Sequence, residues 1–267
     1  MTRVRLALAA AAVVLVAACG DSGPTQPIDQ PTADETFDVA TYVGDAVAET
    51  VSLLRTQEGA FGAPSADAFF TGEWKSDCEY NATNGRFACP VLFHEGRTVA
   101  RGFQLLDASA RPQSAYDATT TASAIFVTTI FGTVSHDGLS VEFTRARTIT
   151  VSGLGGSESQ HIINGTGTGA TARTTHTAGG TTRTYSMTDN KEAITNVVVP
   201  FPRAEGVWPR SGTIAWQLKF ARDVAIGQTH SGALTATVTF TGAQVVEIVI
   251  SGQHYSLDLA TGKVAKV

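Results

Sequence analysis

From position 38 to about 55, apolar residues return every three or four places: Val39, Tyr42, Val43, Ala46, Val47, Val51 and Leu54. Asp38, Thr41, Asp45, Glu49 and Ser52 fall on the opposite side of the same wheel. That period predicts one amphipathic helix whose stripe packs on a sheet. Thr36 or Asp38 caps its start, Arg55 suits its negative end and Gly59 stops it. Beyond the helix the period drops to two. Alternating Thr, Val, Ile and aromatic residues, punctuated by turn residues, predict strands near 98–106, 141–151, 182–188, 193–199 and 212–221.

Two stretches depart from simple alternation or sharpen it. "TASAIFVTTIFGTV" (121–134) is apolar on both faces, as a central or covered strand would be. "LTATVTFTGAQVVEIVISGQHYSLDLATGKVAKV" (234–267) puts Thr235, Thr237, Thr239 and Thr241 on one face, with Ala236, Val238 and Phe240 on the other. Turn signals at Thr241-Gly242, Ser251-Gly252 and Thr261-Gly262 make it a four-stranded meander. "INGTGTGATARTTHTAGGTT" (163–182) reads either as an exposed hairpin or as a mobile loop. The expected fold is therefore mainly β: a large antiparallel curved sheet, half-barrel or barrel, with one N-terminal amphipathic helix packed on it. One β-rich domain, 37–267, accommodates all of this.

Cys78 and Cys89 flank "EYNATNGRFA", where Asn84-Gly85 is a strong hairpin-turn signal. A hairpin centred there brings the two cysteines opposite one another, so a disulfide is expected in an oxidising compartment. Two free thiols are the alternative. Two cysteines without a nearby histidine pair fall short of a zinc site.

The compartment is read from the start of the chain. Arg3 and Arg5 precede an apolar run from Leu6 to Ala17, the layout of a secretory signal over residues 1–18. The run is too short to span hydrocarbon, which takes roughly 20 residues as a helix. Val16, Ala17, Ala18 and Cys19 resemble the lipobox of bacterial lipoproteins. That resemblance implies cleavage before Cys19, a diacylglyceryl group on its sulfur, and anchoring of the protein to a membrane of the cell envelope, facing the periplasm or the cell surface. Two or three acyl chains anchor stably where one does not. Residues 19–36, rich in Pro, Asp, Gln, Thr and Gly, read as a flexible tether. "GDSGP" (20–24) echoes the serine segment of trypsin-like proteases, but Ser22 stands next to the anchor with no upstream histidine base, so it has no nucleophile chemistry.

Charge narrows the partners. The chain carries 19 basic and 24 acidic residues, a formal charge of −5, and loss of Arg3 and Arg5 with the signal brings this to −7. An acidic chain without a Lys/Arg cluster is a poor nucleic-acid partner. Candidate chemistry is sparse. "HEGRTV" and "HDGLSV" repeat the order His, acid, Gly, any residue, hydroxyl, Val, and place His94 and His136 at turns on one end of an up-and-down sheet. Acid-Gly is also ordinary hairpin chemistry. His161, His176, His230 and His254 lack a companion at ligand spacing and are expected to face solvent. Arg145 and Arg147 share the alternation of Val141, Phe143, Ile149 and Val151, which turns two charges toward an apolar face; a bulge or an edge location would explain them, and anion binding is the functional alternative. Trp208 and Trp216 read as core or rim aromatics. No catalytic residue, cofactor or metal is expected. The expected role is non-catalytic, structural or binding, in the cell envelope, with an envelope protein as partner; the alternative is a carrier of lipid or another hydrophobic ligand.

Overall fold

The computed structural model describes residues 33–52, 78–94, 96–136, 138–176, 182–201, 206–225 and 228–267. The signal, Cys19, most of the tether, Arg55 and Gly59 lie outside them. Helix α1 (Ala33–Ser52) begins inside the stretch read as tether. The apolar stripe begins only at Val39, so the period that reveals the helix does not reach its first turn.

Among the described residues fourteen strands follow: β1 (Glu79–Asn81), β2 (Arg86–Ala88), β3 (Leu92–His94), β4 (Arg97–Asp107), β5 (Pro112–Gln113), β6 (Thr121–His136), β7 (Leu139–Ser152), β8 (Gln160–His176), β9 (Thr182–Pro200), β10 (Ser211–Ala225), β11 (Gln228–Thr239), β12 (Val245–Ile250), β13 (Gln253–Asp258) and β14 (Val264–Lys266). They form one antiparallel sheet in the order β1-β2-β4-β6-β7-β8-β9-β10-β11-β12-β13-β14, with β3 and β5 also pairing to β4. Short connections dictate this order, since hairpins join antiparallel neighbours directly. Among the described residues the β14 edge does not pair with the β1 to β5 edge, so the sheet is an open, partial ring.

Turn chemistry holds the meander as expected. Gly242, Gly252 and Gly262 take φ of 85°, 86° and 71°, a region open to glycine at little cost. The Gly/Thr/Ala-rich segment belongs mostly to β8, whose partners on both sides make it a central strand. The two strands anticipated at 182–188 and 193–199 are one, β9. Its pairing slips by one residue between Ile163/Gly165 and between Gly169/Thr171 of β8, with matching slips against β10, so β9 carries two bulges. Each bulge resets the alternation and bends the strand. Asn196, at φ 48°, sits in one of them and donates its backbone N–H to Asn164 Oδ1 at 2.8 Å.

The concave face holds the core and the helix lies within it. Val39, Val43 and Val47 of α1 have no exposed surface, and neither have Ile214, Ala236, Val238, Ile248, Ile250 and Leu257 of the sheet. Burial of each such Val, Ile or Leu side chain contributes about 1.5–3 kcal/mol. Gly44 marks the tightest approach: a Cβ there would stand 2.7 Å from Val264 Cγ2. Near the start of α1, Tyr255 Oη donates to Thr36 Oγ1 at 2.6 Å, and Thr36 Oγ1 donates to Gln253 Oε1 at 2.9 Å.

The hairpin β1–β2 is pinned as the cysteine spacing implied. Glu79 pairs with Ala88, which sets Cys78 opposite Cys89, and the two are joined by a disulfide. Cys89→Ser should lower the unfolding free energy by about 2–3 kcal/mol in urea titration, and reductant should reproduce that loss in the wild type. A second outcome concerns pH. Asp107, Asp117 and Asp258 are held below the usual carboxylate value, chiefly by the Arg111 backbone N–H, the Thr119 hydroxyl and the Gln244 amide respectively. A lowered folded-state value stabilises above the unfolded value and loses that stabilisation as pH falls through the folded one. The melting temperature should therefore drop as pH falls below about 4, and less steeply in Asp258→Asn.

Candidate functional site

The register lines up concave-facing residues in rows across the strands. One row runs Arg101, Thr128, Arg147, Gly167, Glu192, Trp216, Ala236. The next runs Val99, Ile130, Arg145, Gly169. Arg147 and Glu192 reach across Gly167 and form a two-pronged ion pair, Nε to Oε2 at 2.8 Å and Nη2 to Oε1 at 2.9 Å, with both side chains at most 5% exposed. Arg147 Nη2 also donates to the Ala46 carbonyl of α1 at 3.1 Å. The Arg145 guanidinium lies 5.1 Å from the centre of the Tyr42 ring, a cation–π contact on the same side of the helix.

Gly167 makes this possible: a Cβ there would stand 2.5 Å from Glu192 Oε2 and 3.1 Å from Arg147 Cγ. The "GTGTG" of β8 is thus a strand whose glycines line the concave face beneath two long charged side chains. Neither a bulge nor an edge accounts for Arg145 and Arg147, which corrects that expectation. β7 pairs without slippage on both sides and points both arginines inward in phase with Phe143 and Ile149. Glu192 went unread because the bulges of β9 hide its phase; counting back by two from Ile194 would have found it.

The cluster holds the helix to the sheet. Both carboxylate oxygens of Glu192 accept from Arg147, so the pair presents no free base, and a buried pair of this kind fixes geometry more than it stabilises. Arg147→Met alone should cost about 3–5 kcal/mol because it strands Glu192 without its partner. The double variant Arg147→Met/Glu192→Leu should regain most of that in the same urea titration.

The histidines divide. His94 shares a row with Arg97, and Arg97 with Gly132, so the backbone of His136 lies four residues, roughly 13 Å, further along β6. Their side chains lie outside the described residues, as does that of His176. His161 is buried, against the expectation of solvent exposure: its Nδ1 is 2.9 Å from the Gly153 carbonyl and its ring 4.8 Å from that of Phe201. Two residues before inward-facing Ile163, it takes the same face of β8. His230 is also drawn inward, edge-on to Phe220 at 5.5 Å. His254 faces solvent as expected, yet pairs across the sheet with Glu247 at 2.6 Å. Trp208 and Trp216 are both buried in the core.

The convex face is mostly polar, with Thr148, Thr166, Thr195, Thr235 and Thr239 exposed. It changes character at β4 and β6. There Ile125, Val127 and Thr129 of β6 form a ridge beside Ala100 and Gly102 of β4, and the β2 side supplies Arg86 and Ala88. Small residues between taller neighbours leave a half-open groove of about 300 Å³. The second apolar face of "TASAIFVTTIFGTV" is therefore one wall of this groove, on a strand that is central in the sheet but only half covered outside.

Fold and sites together define an open antiparallel meander wrapped around one helix, with a charged latch inside and an apolar groove outside. No protein-family model matches the chain, and no curated protein or solved structure matches it. Among the described residues no helix is long and apolar enough to cross a membrane.

Proposed function

We propose that this chain is a lipid-anchored envelope lipoprotein with a non-catalytic structural or binding role. The observation that carries the reading is the succession of Arg3 and Arg5, the apolar run and Val16-Ala17-Ala18-Cys19. Acylated Cys19 is the anchor, and the fourteen residues from there to Ala33 reach at most about 50 Å, so the folded domain works close to a bilayer. A domain tethered in that way, with its core filled and a groove on its outer face, suits binding an envelope component.

The groove also favours the second reading, a binder of hydrophobic ligands, at a different place from the one a carrier with a central cavity would use. A void that admits water would leave Val39, Val43 and Val47 with measurable surface, and they have none. Val51, at 2%, is nearly as closed. Around those valines the packed helix leaves no room for cargo.

Metabolic labelling with a radioactive fatty acid tests the anchor. Wild-type protein should take up label and sediment with membranes, and Cys19→Ser should do neither. Equal labelling of the two would discard the reading.

A further inference from the structure

The outer groove has a direction, and its two ends differ chemically. At one end stand Arg86 and Gln104, in register on one convex row with Ile125. Arg86 is exposed and forms no ion pair with any described residue. Past its other end, beyond Ala100 and Thr129, the edge strand β3 carries Phe93, 78% exposed, in register through Thr98 with Phe131 of β6, 46% exposed. Val91, 48% exposed, precedes β3 on the same edge. Between the ends the floor is Ala100 and Gly102, and Gly102 must stay small because a Cβ would come 2.7 Å from the Phe87 carbonyl oxygen. From Ile125 to Phe131 the path measures roughly 20 Å at the rise of a strand, the scale of a long alkyl chain. Phe93 and Phe131 lie beyond the residues that line the groove, on the same convex face, and exposed apolar patches mark binding surfaces.

We infer that this groove binds a long-chain anionic amphiphile, with its acidic head at Arg86 and Gln104 and its alkyl chain along β4 and β6 toward Phe93 and Phe131. Charge complementarity selects this occupant: a neutral chain would leave the Arg86 guanidinium unused, and a nucleic acid would find only Arg86 and Arg101 along the groove of an acidic protein. The carboxylate accepts from Arg86, a charge-assisted contact about twice as strong as a neutral one. The Ala100 and Gly102 floor, set below Ile125 and Val127, receives a thin chain. This inference rests on the hydrophobic-ligand reading above and is independent of the anchor.

The test is photolabelling of the full chain with a diazirine analogue of palmitate, with adducts located by peptide mass mapping. Both membrane-bound and soluble fractions are analysed, so loss of the anchor does not affect the readout. Adducts should fall on β4 and β6. Ala100→Phe should abolish them, with Val127→Asn as a milder second block, each verified to melt within a few degrees of wild type. Arg86→Gln, on an exposed hairpin, should reduce carboxylate labelling at least about tenfold and leave labelling by the matching alcohol analogue unchanged. Adducts on the concave face or the helix, or labelling indifferent to Ala100→Phe, would overturn the site. Equal losses for acid and alcohol in Arg86→Gln would overturn the placement of the head. Labelling no higher than that of an unrelated protein would overturn binding itself.

Discussion

The buried pair of Arg147 and Glu192 constrains the rest of the fold. A charge withdrawn from water must be matched by geometry, and here the match needs three elements at once: β7 supplies the guanidinium, β9 the carboxylate, and α1 a carbonyl that takes one of the same N–H groups. β8 lies between them and must be glycine where the two side chains cross. A slip of one residue in any of these strands would turn a charge to the wrong face. The register across the middle of the sheet is therefore specified by electrostatics as well as by apolar alternation.

The same constraint separates the two surfaces of the sheet. Inside, the helix is held on one side by the apolar wall of β10 to β14 and on the other by Arg145 and Arg147, so it works as a packed core element. Outside, most strands show threonine to solvent, a residue that suits a pleated surface without making it adhesive. The departure at β4 and β6 is local, and it lies next to the sheet edge where β2, β3 and β5 divide the pairing of β4 among them. Division of an edge into short strands limits edge-to-edge association. It also leaves the outer face of β4 flanked by a hairpin that the disulfide holds in place. The groove and the latch thus lie on opposite sides of the sheet.

Periodicity alone determined the helix stripe, most strands, the closing meander and the disulfide hairpin. Each depends on residues two to eleven apart in the chain, and the backbone geometry of a helix, strand or turn converts such spacings directly into faces. Local pattern also flagged Arg145 and Arg147 as inward-pointing and 121–134 as apolar on both sides. It could not say what met them. The partner of Arg147 is 45 residues away, between the two bulges of β9, and the carbonyl that it also meets is 101 residues away in the opposite direction. His161 is buried for a similar reason, since the loop carrying Gly153 and the ring of Phe201 close over it. The groove exists only because small residues on β4 come to lie between β2 and β6. Sequence fixes what each residue offers to its own strand; pairing across strands, which depends on register and on the curvature that bulges introduce, decided which offers were taken up.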